Sequence, residues 1–233
     1  MKTFIFLCIL LTLVCSSYAA QSKILIVFAH QEPQSFCFAL RNRVFQTLIM
    51  KGHEVKVSNL VQMKMIGSID RTDFTEAFDP SYFRPQAEQI SANSKNRTTF
   101  TKELRLEHDK VEWADIMLFV FPYYVMYMPS IVKSWMERVF SVGFAYGNGH
   151  SLKGKKAMLM YSTGADKDYL KDIEPYFWNS TSRVFEFMGV KYLMPFRAYG
   201  VQHVTLEERK AYLSEAEKIV ADIDNRAPYI HDP

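Results

Sequence analysis

Three short segments carry residue types that could hold a ligand. The first is Ala29-His-Gln-Glu-Pro-Gln-Ser-Phe-Cys-Phe38, which follows an apolar run and opens an i, i+4 series of apolar residues. A chain leaving a strand and entering a helix there aims free backbone N–H groups and the positive end of the helix dipole outward, which suits a phosphate. Ser35 adds a hydroxyl, and His30 adds a ring donor or a charge. The sequence has neither Gly-x-Gly-x-x-Gly nor Gly-x-x-x-x-Gly-Lys, so the dinucleotide fingerprint and the P-loop are both disfavoured.

The second segment is Phe121-Pro-Tyr-Tyr-Val-Met-Tyr-Met-Pro129. Tyrosines and methionines at a sheet edge are costly to leave in water. They suit a flat apolar ligand, or a surface covered by the chain itself or by a second subunit. The third segment, Ser162-Thr-Gly-Ala-Asp-Lys-Asp-Tyr169, has a glycine that allows close backbone approach and hydroxyl and N–H groups for a polar ring edge. One phosphate loop plus two loops around a flat ring describes a flavin site. No Ser-His-Asp or Cys-His set is readable by spacing. His30, His53, His108, His150, His203 and His231 are dispersed without metal-ligand spacing, so no metal is expected. His150 and His203 read as surface loop residues, Trp113 and Trp135 as core, and Trp178 as core near a subunit contact.

The elements that position these loops follow from periodicity. Lys23 to Ala29, Asp115 to Phe121 and Lys156 to Thr163 are apolar runs of strand length, as expected for strands covered on both faces. Glu54 to Leu60 is a weaker, alternating strand, and Val190 to Tyr199 reads as a fifth. Phe36, Leu40, Val44 and Leu48 mark a helix, with Ser35 as N-cap and Gly52 just past its end. Thr101 to Trp113 reads as helical. Pro129 can open, at its first turn, a helix with Ile131, Trp135, Val139 and Val142 on one face. A further helix covers residues 179 to 188 and ends at Gly189. Thr205-Leu-Glu-Glu208 is a capping box that opens a last helix to about Ile223. Residues 61 to 100 are polar, and loops with short helices are expected there. Strands alternating with helices predict one α/β doubly wound domain over 21–233, with ligands at the carboxyl ends of the strands.

Composition agrees. The 233 residues are 48% hydrophobic and 23% charged with a net charge of +3, which excludes a disordered chain and a nucleic-acid surface. Two of three cysteines, Cys8 and Cys15, lie in residues 1–20. There Lys2 precedes an apolar run of about twelve residues and a small-residue exit. That is the pattern of a secretory signal peptide, shorter than the ~20 residues of a membrane span, with an uncleaved anchor as the competing expectation. Export would leave one thiol, Cys37. It would also make Asn96-Arg-Thr98 and Asn179-Ser-Thr181 N-glycosylation acceptors.

Longer stretches then agree in order and spacing. KILIVFAHQEPQSF (23 to 36), ADIMLFVFPYY (114 to 124), MPSIVKSWMERVF (128 to 140), GFAYGNGHSLKGKKAML (143 to 159) and YSTG (161 to 164) resemble the flavodoxin-like NAD(P)H:quinone oxidoreductases, the DT-diaphorase family and its shorter bacterial relatives. The resemblance implies a five-stranded sheet in the order 2-1-3-4-5. It also implies FAD or FMN held non-covalently, NAD(P)H as co-substrate, a quinone-like acceptor, ping-pong hydride transfer and a homodimer. His30 and Ser35, Phe36, Cys37 and Phe38 would contact the pyrophosphate side. Pro122, Tyr123, Tyr124 and Val125 would border the flavin ring. Ser162, Thr163, Gly164, Ala165 and Tyr169 would meet its polar edge, with Tyr169 as the catalytic proton donor. Phe144, Ala145 and Tyr146 would line the substrate pocket, from the other subunit.

Three positions depart from the family pattern. Val125 stands where many members carry Trp, Cys37 where a common member has Asn, and no His lies between Ala165 and Tyr176. The competing expectations are a secreted flavodoxin-like flavin-binding protein with weak turnover and an electron carrier resembling flavodoxin.

Overall fold

A computed structural model describes residues 21–65, 67–149 and 152–230. The expected leader, His150 and His231 lie outside the described residues. The chain runs β1 (Lys23–Phe28), α1 (Phe36–Met50), β2 (Glu54–Asn59), α2 (Pro85–Ser94), α3 (Lys102–Trp113), β3 (Ile116–Pro122), α4 (Ser130–Val139) and β4 (Lys156–Ser162). It continues with α5 (Lys167–Leu170), α6 (Glu174–Phe187), β5 (Lys191–Tyr192), β6 (Phe196–Ala198) and α7 (Leu206–Ala221).

The strands are parallel in the order β2-β1-β3-β4-β5, with β6 also on β4. Side chains of each strand alternate between two cores. Leu25, Val27, Met117 and Phe119 face a layer with Leu104, Trp135 and Phe185. Ile24, Ile26, Phe28 and Leu118 face a layer with Leu40, Val44 and Val220. These side chains are nearly inaccessible, so truncating one of them, Ile26→Ala for example, costs about 2–5 kcal/mol. No helix among the described residues is long and apolar enough to cross a membrane.

Most expected boundaries hold within a residue or two. The side chain of Ser35 accepts from the Phe38 N–H, and Gly52 turns the chain at φ +87°. Thr205 and Glu208 form the reciprocal capping box. Three expectations are corrected. The fifth strand is two pieces, because Pro195 has no N–H for the ladder and the Met194 N–H turns to the Ala227 carbonyl (3.0 Å). The helix expected over 179–188 begins at Glu174, with Pro175 in its first turn. Pro129 is the N-cap of α4 rather than a first-turn residue, and Val142 lies beyond the helix, which ends at Val139.

Residues 61–100 form one 3-10 turn (Arg71–Asp73) and α2. They are tied to α4 and to the turn after it by polar contacts. Arg138 donates to Asp73 (2.9 and 2.5 Å), and Asn93 donates to Ser141 and the Val142 carbonyl (3.0 and 2.9 Å).

Candidate flavin site at the carboxyl edge

The three loops leave β1, β3 and β4, which are neighbours in the sheet. The chain goes from β1 to β2 on one side and to β3 on the other, so the switch point lies between β1 and β3. Backbone bonds tie the first residues of each loop to the neighbouring strand end. The Ala29 N–H donates to Val120 (3.1 Å), Tyr123 to Ser162 (2.8 Å) and Thr163 to Ala198 (2.9 Å).

In the first loop, the start of α1 has no acidic residue in its first turn, so its positive end is uncompensated. Phe36 and Phe38 are half-buried. Two expected side chains are placed differently. Cys37 is 1% exposed in the core beneath α1, where burial pushes its thiol far above the usual range. It can therefore offer its backbone N–H but not a thiolate. His30 accepts the Glu32 N–H at Nδ1 (2.9 Å), which leaves the ring proton on Nε2, and burial lowers its pKa. It is a neutral donor, so the alternative of a charge is set aside.

The second loop is a tight turn. Tyr124 and Tyr127 exchange backbone bonds of 3.0 and 2.9 Å, with Val125 at φ +48° and Met126 at φ +59° between them. A β-branched residue with positive φ is a strained outlier. Val125 is also 97% exposed, and Tyr124 and Met126 are exposed beside it. Pro122 ends β3 in the core. The Tyr123 ring turns inward instead of bordering the loop's open side. It stacks on Tyr161 (5.1 Å) and packs at a tilt against Phe177 (5.2 Å), and burial followed by the Glu174 charge pushes its pKa up to about 12. Its hydroxyl is buried without a hydrogen-bond partner among the described residues.

In the third loop Ser162 and Thr163 are buried, and the Thr163 hydroxyl accepts the Ala165 N–H (3.1 Å). Gly164 is exposed. A side chain there would meet only the amide of Gln202, at 3.4 Å. Tyr169 is exposed on the short α5, which Asp166 caps.

The Gly143 to Gly147 segment separates the expected substrate residues. Phe144 and Ala145 are core residues, with Phe144 packed on His108 (4.6 Å) and beneath Arg97 (5.4 Å). They do not line an open pocket, because their surface is spent on their own chain. Tyr146 does reach the surface, beside the exposed ring of Phe187 (5.4 Å). Both border a cavity of about 970 Å³ between α2, α4 and the end of α6, with Tyr82, Ile90, Met136 and Val184. None of the three loops lines that cavity.

Sequence reasoning missed Glu174, Gln202 and Phe187. Phe187 was detectable, since it falls off the stripe of Phe177, Thr181 and Phe185 that α6 buries. Trp135 is core as expected, whereas Trp178 is partly buried and donates to the Tyr161 hydroxyl (2.7 Å). No metal-binding cluster occurs among the described residues.

An uncompensated helix start after β1, an apolar strained tip after β3 and an open glycine after β4 lie at the carboxyl ends of three neighbouring strands. Together they fit a flat cofactor with a phosphate tail. Comparison with known proteins points the same way. Residues 22–222 match the family model for the flavodoxin-like fold. The chain is similar to NAD(P)H dehydrogenase [quinone] 1 of Cavia porcellus, at 33% identity over 92% of this chain and 82% of that one. It is also similar to ribosyldihydronicotinamide dehydrogenase [quinone] of Mus musculus, at 36% identity over 84% of this chain and 89% of that one. Among solved structures, a candidate quinone reductase from Klebsiella pneumoniae superposes with a TM-score of 0.79 at 26% identity, covering 89% and 87% of the two chains. The chain therefore belongs to the flavodoxin-like family of NAD(P)H:quinone oxidoreductases.

Proposed function

We propose that the protein is a flavin-dependent NAD(P)H:quinone oxidoreductase that binds FAD, with FMN as the alternative. The observation that carries this reading is the meeting of three loops around the switch point, with the strained tip at Val125. The N–H groups at the start of α1, with Ser35 and the neutral His30, would hold the phosphate end. Tyr124, Val125 and Met126 would cover one side of the ring and keep water from it. Backbone at Gly164 and Ala165 would meet its polar edge. The chemistry that a bound flavin supplies is two-electron transfer between NAD(P)H and a quinone-like acceptor, in ping-pong order. Tyr169, exposed beside the third loop, would donate the proton that the reduced acceptor takes up.

The functional unit in this reading is a homodimer. The apolar face at Tyr146 and Phe187 is its best-suited contact, since contiguous exposed rings mark interaction surfaces. The charge pattern of residues 1–20 supports entry into the secretory pathway. The test is direct. The chain purified from an expressing host should carry flavin or take up FAD on reconstitution, and should run as a dimer in light scattering. A colourless monomer that takes up neither FAD nor FMN would overturn the proposal.

A further inference from the structure

The two Asn-x-Ser/Thr tripeptides sit in opposite environments. Asn96 lies in the turn that ends α2, at φ +53°, and is exposed. The turn is fixed by its backbone. The Arg97 N–H donates to Ala92 (2.8 Å) and the Thr98 N–H to Lys95 (3.2 Å). The Thr98 side chain is exposed as well, with its hydroxyl on the Lys95 carbonyl (2.8 Å). The surroundings are polar, with Lys102, Arg105 and Asp109 nearby.

Asn179 is inside α6 and half-buried. Its Oδ1 accepts the Tyr229 hydroxyl (2.8 Å), and Tyr229 packs against Trp178 (6.0 Å) and Tyr192 (5.6 Å). The third residue of that tripeptide, Thr181, is 1% exposed. A glycan on Asn179 would have to stand where residues 226–230 dock.

We propose that Asn96 carries an N-linked glycan in the folded protein and that Asn179 does not. The inference rests on the export reading given above. In the transfer, Asn96 Nδ2 attacks C1 of an oligosaccharide carried on a lipid diphosphate. The N–C bond forms, the C–O bond to the diphosphate breaks, the lipid diphosphate leaves, and the amide gives up one proton to the transferase. The position is compatible with activity. Arg97 pairs with Glu112 (2.8 Å) and Asp109 (3.5 Å) on α3, whose end leads into the start of β3. The surface around Asn96 is lined by residues of the α2–α3 connection and of α3 and by none of the three loops.

The experiment expresses the full chain with its own leader in a eukaryotic secretory host and treats the exported protein with peptide-N-glycosidase. A single step down in apparent mass is expected, with residue 96 recovered as Asp by peptide mass spectrometry. Asn96→Gln and Thr98→Ala should each abolish the step. Asn179→Gln should keep it, and flavin content should be the same before and after treatment. A step that survives Asn96→Gln, a second step, or an exported chain with no step would overturn the proposal while leaving export intact. A chain that stays inside the cell with residues 1–20 attached, shown by N-terminal sequencing, would overturn the export reading and this proposal with it.

Discussion

The hydroxyl of Tyr161 donates a 2.6 Å hydrogen bond to the carboxylate of Glu174. Tyr199 donates to the other oxygen of the same carboxylate at 2.6 Å. Tyr161, next to last in β4, lies beneath Tyr123 of the second loop, while Glu174 opens the helix that follows the third. This buried carboxylate therefore couples the two loops assigned to the flavin ring.

Replacing Glu174 with Ala leaves two buried hydroxyls without their acceptor. The expected loss is about 2–4 kcal/mol of stability, read as a lower urea midpoint. Flavin retention should fall in parallel, because the ends of β4 and β6 beneath the second and third loops lose their common anchor. Glu174→Gln, which keeps the shape and one acceptor, should lose less of both. Unchanged flavin retention in Glu174→Ala would remove the coupling role.

The strain at Val125 makes an opposite prediction for stability and binding. Asn tolerates positive φ, so Val125→Asn should stabilise the chain by about 1 kcal/mol. It also removes the apolar tip, so flavin should dissociate more readily. Thermal melting with and without added flavin checks both. A variant that gained stability and kept full affinity would mean that the strain has no part in binding.

His108 is fully buried between Phe100 (4.8 Å) and Phe144 (4.6 Å), with Ser141 at 3.3 Å from its Nε2. Burial, then the Arg97 charge, lowers its pKa to about 3. The unfolded chain binds a proton near the ordinary value of about 6.5, and the folded chain does not. The neutral ring's contribution is intact above that value and is lost as pH falls toward 3. Near pH 4.5 the loss is about 2–3 kcal/mol. Urea unfolding at pH 7 and 4.5 should show that fall, and His108→Leu should flatten it. Equal slopes in both proteins would contradict the assignment.

Tyr169 is exposed on α5, so its hydroxyl is not part of the packed core. Tyr169→Phe should lower turnover by about 10²-fold or more, the usual scale for losing a positioned proton donor. Stability and flavin content should be unchanged. Steady-state kinetics indistinguishable from the parent would refute the role.

Most of the architecture was legible because its signals are local. The runs at 23–29, 115–121 and 156–163 are buried on both faces of the sheet, so burial shows directly as continuous apolar sequence. Ser35 and Thr205 act through neighbours three residues on, which spacing reveals. What sequence could not show was direction and distance. Tyr123 and Tyr124 are adjacent and of one type, yet one is core and the other is the site's surface, because successive residues at a strand end point to opposite sides. Family position alone points Phe144 and Cys37 at ligands, whereas their side chains fill cores built by residues far along the chain, His108 among them. Glu174 escaped notice because its partners, Tyr161 and Tyr199, are 13 and 25 residues away. The break at Pro195 was readable from its missing N–H, but an otherwise apolar stretch concealed it.

The most direct test of the central claim is anaerobic titration of the flavin-loaded protein with NADPH or NADH, followed by a small quinone. The visible flavin absorbance should bleach on adding nucleotide and return in full on adding quinone, with parallel-line initial-rate plots for the two substrates. A loaded protein whose flavin stays oxidised under excess nucleotide would contradict the assignment, and would favour a flavin-binding protein without turnover.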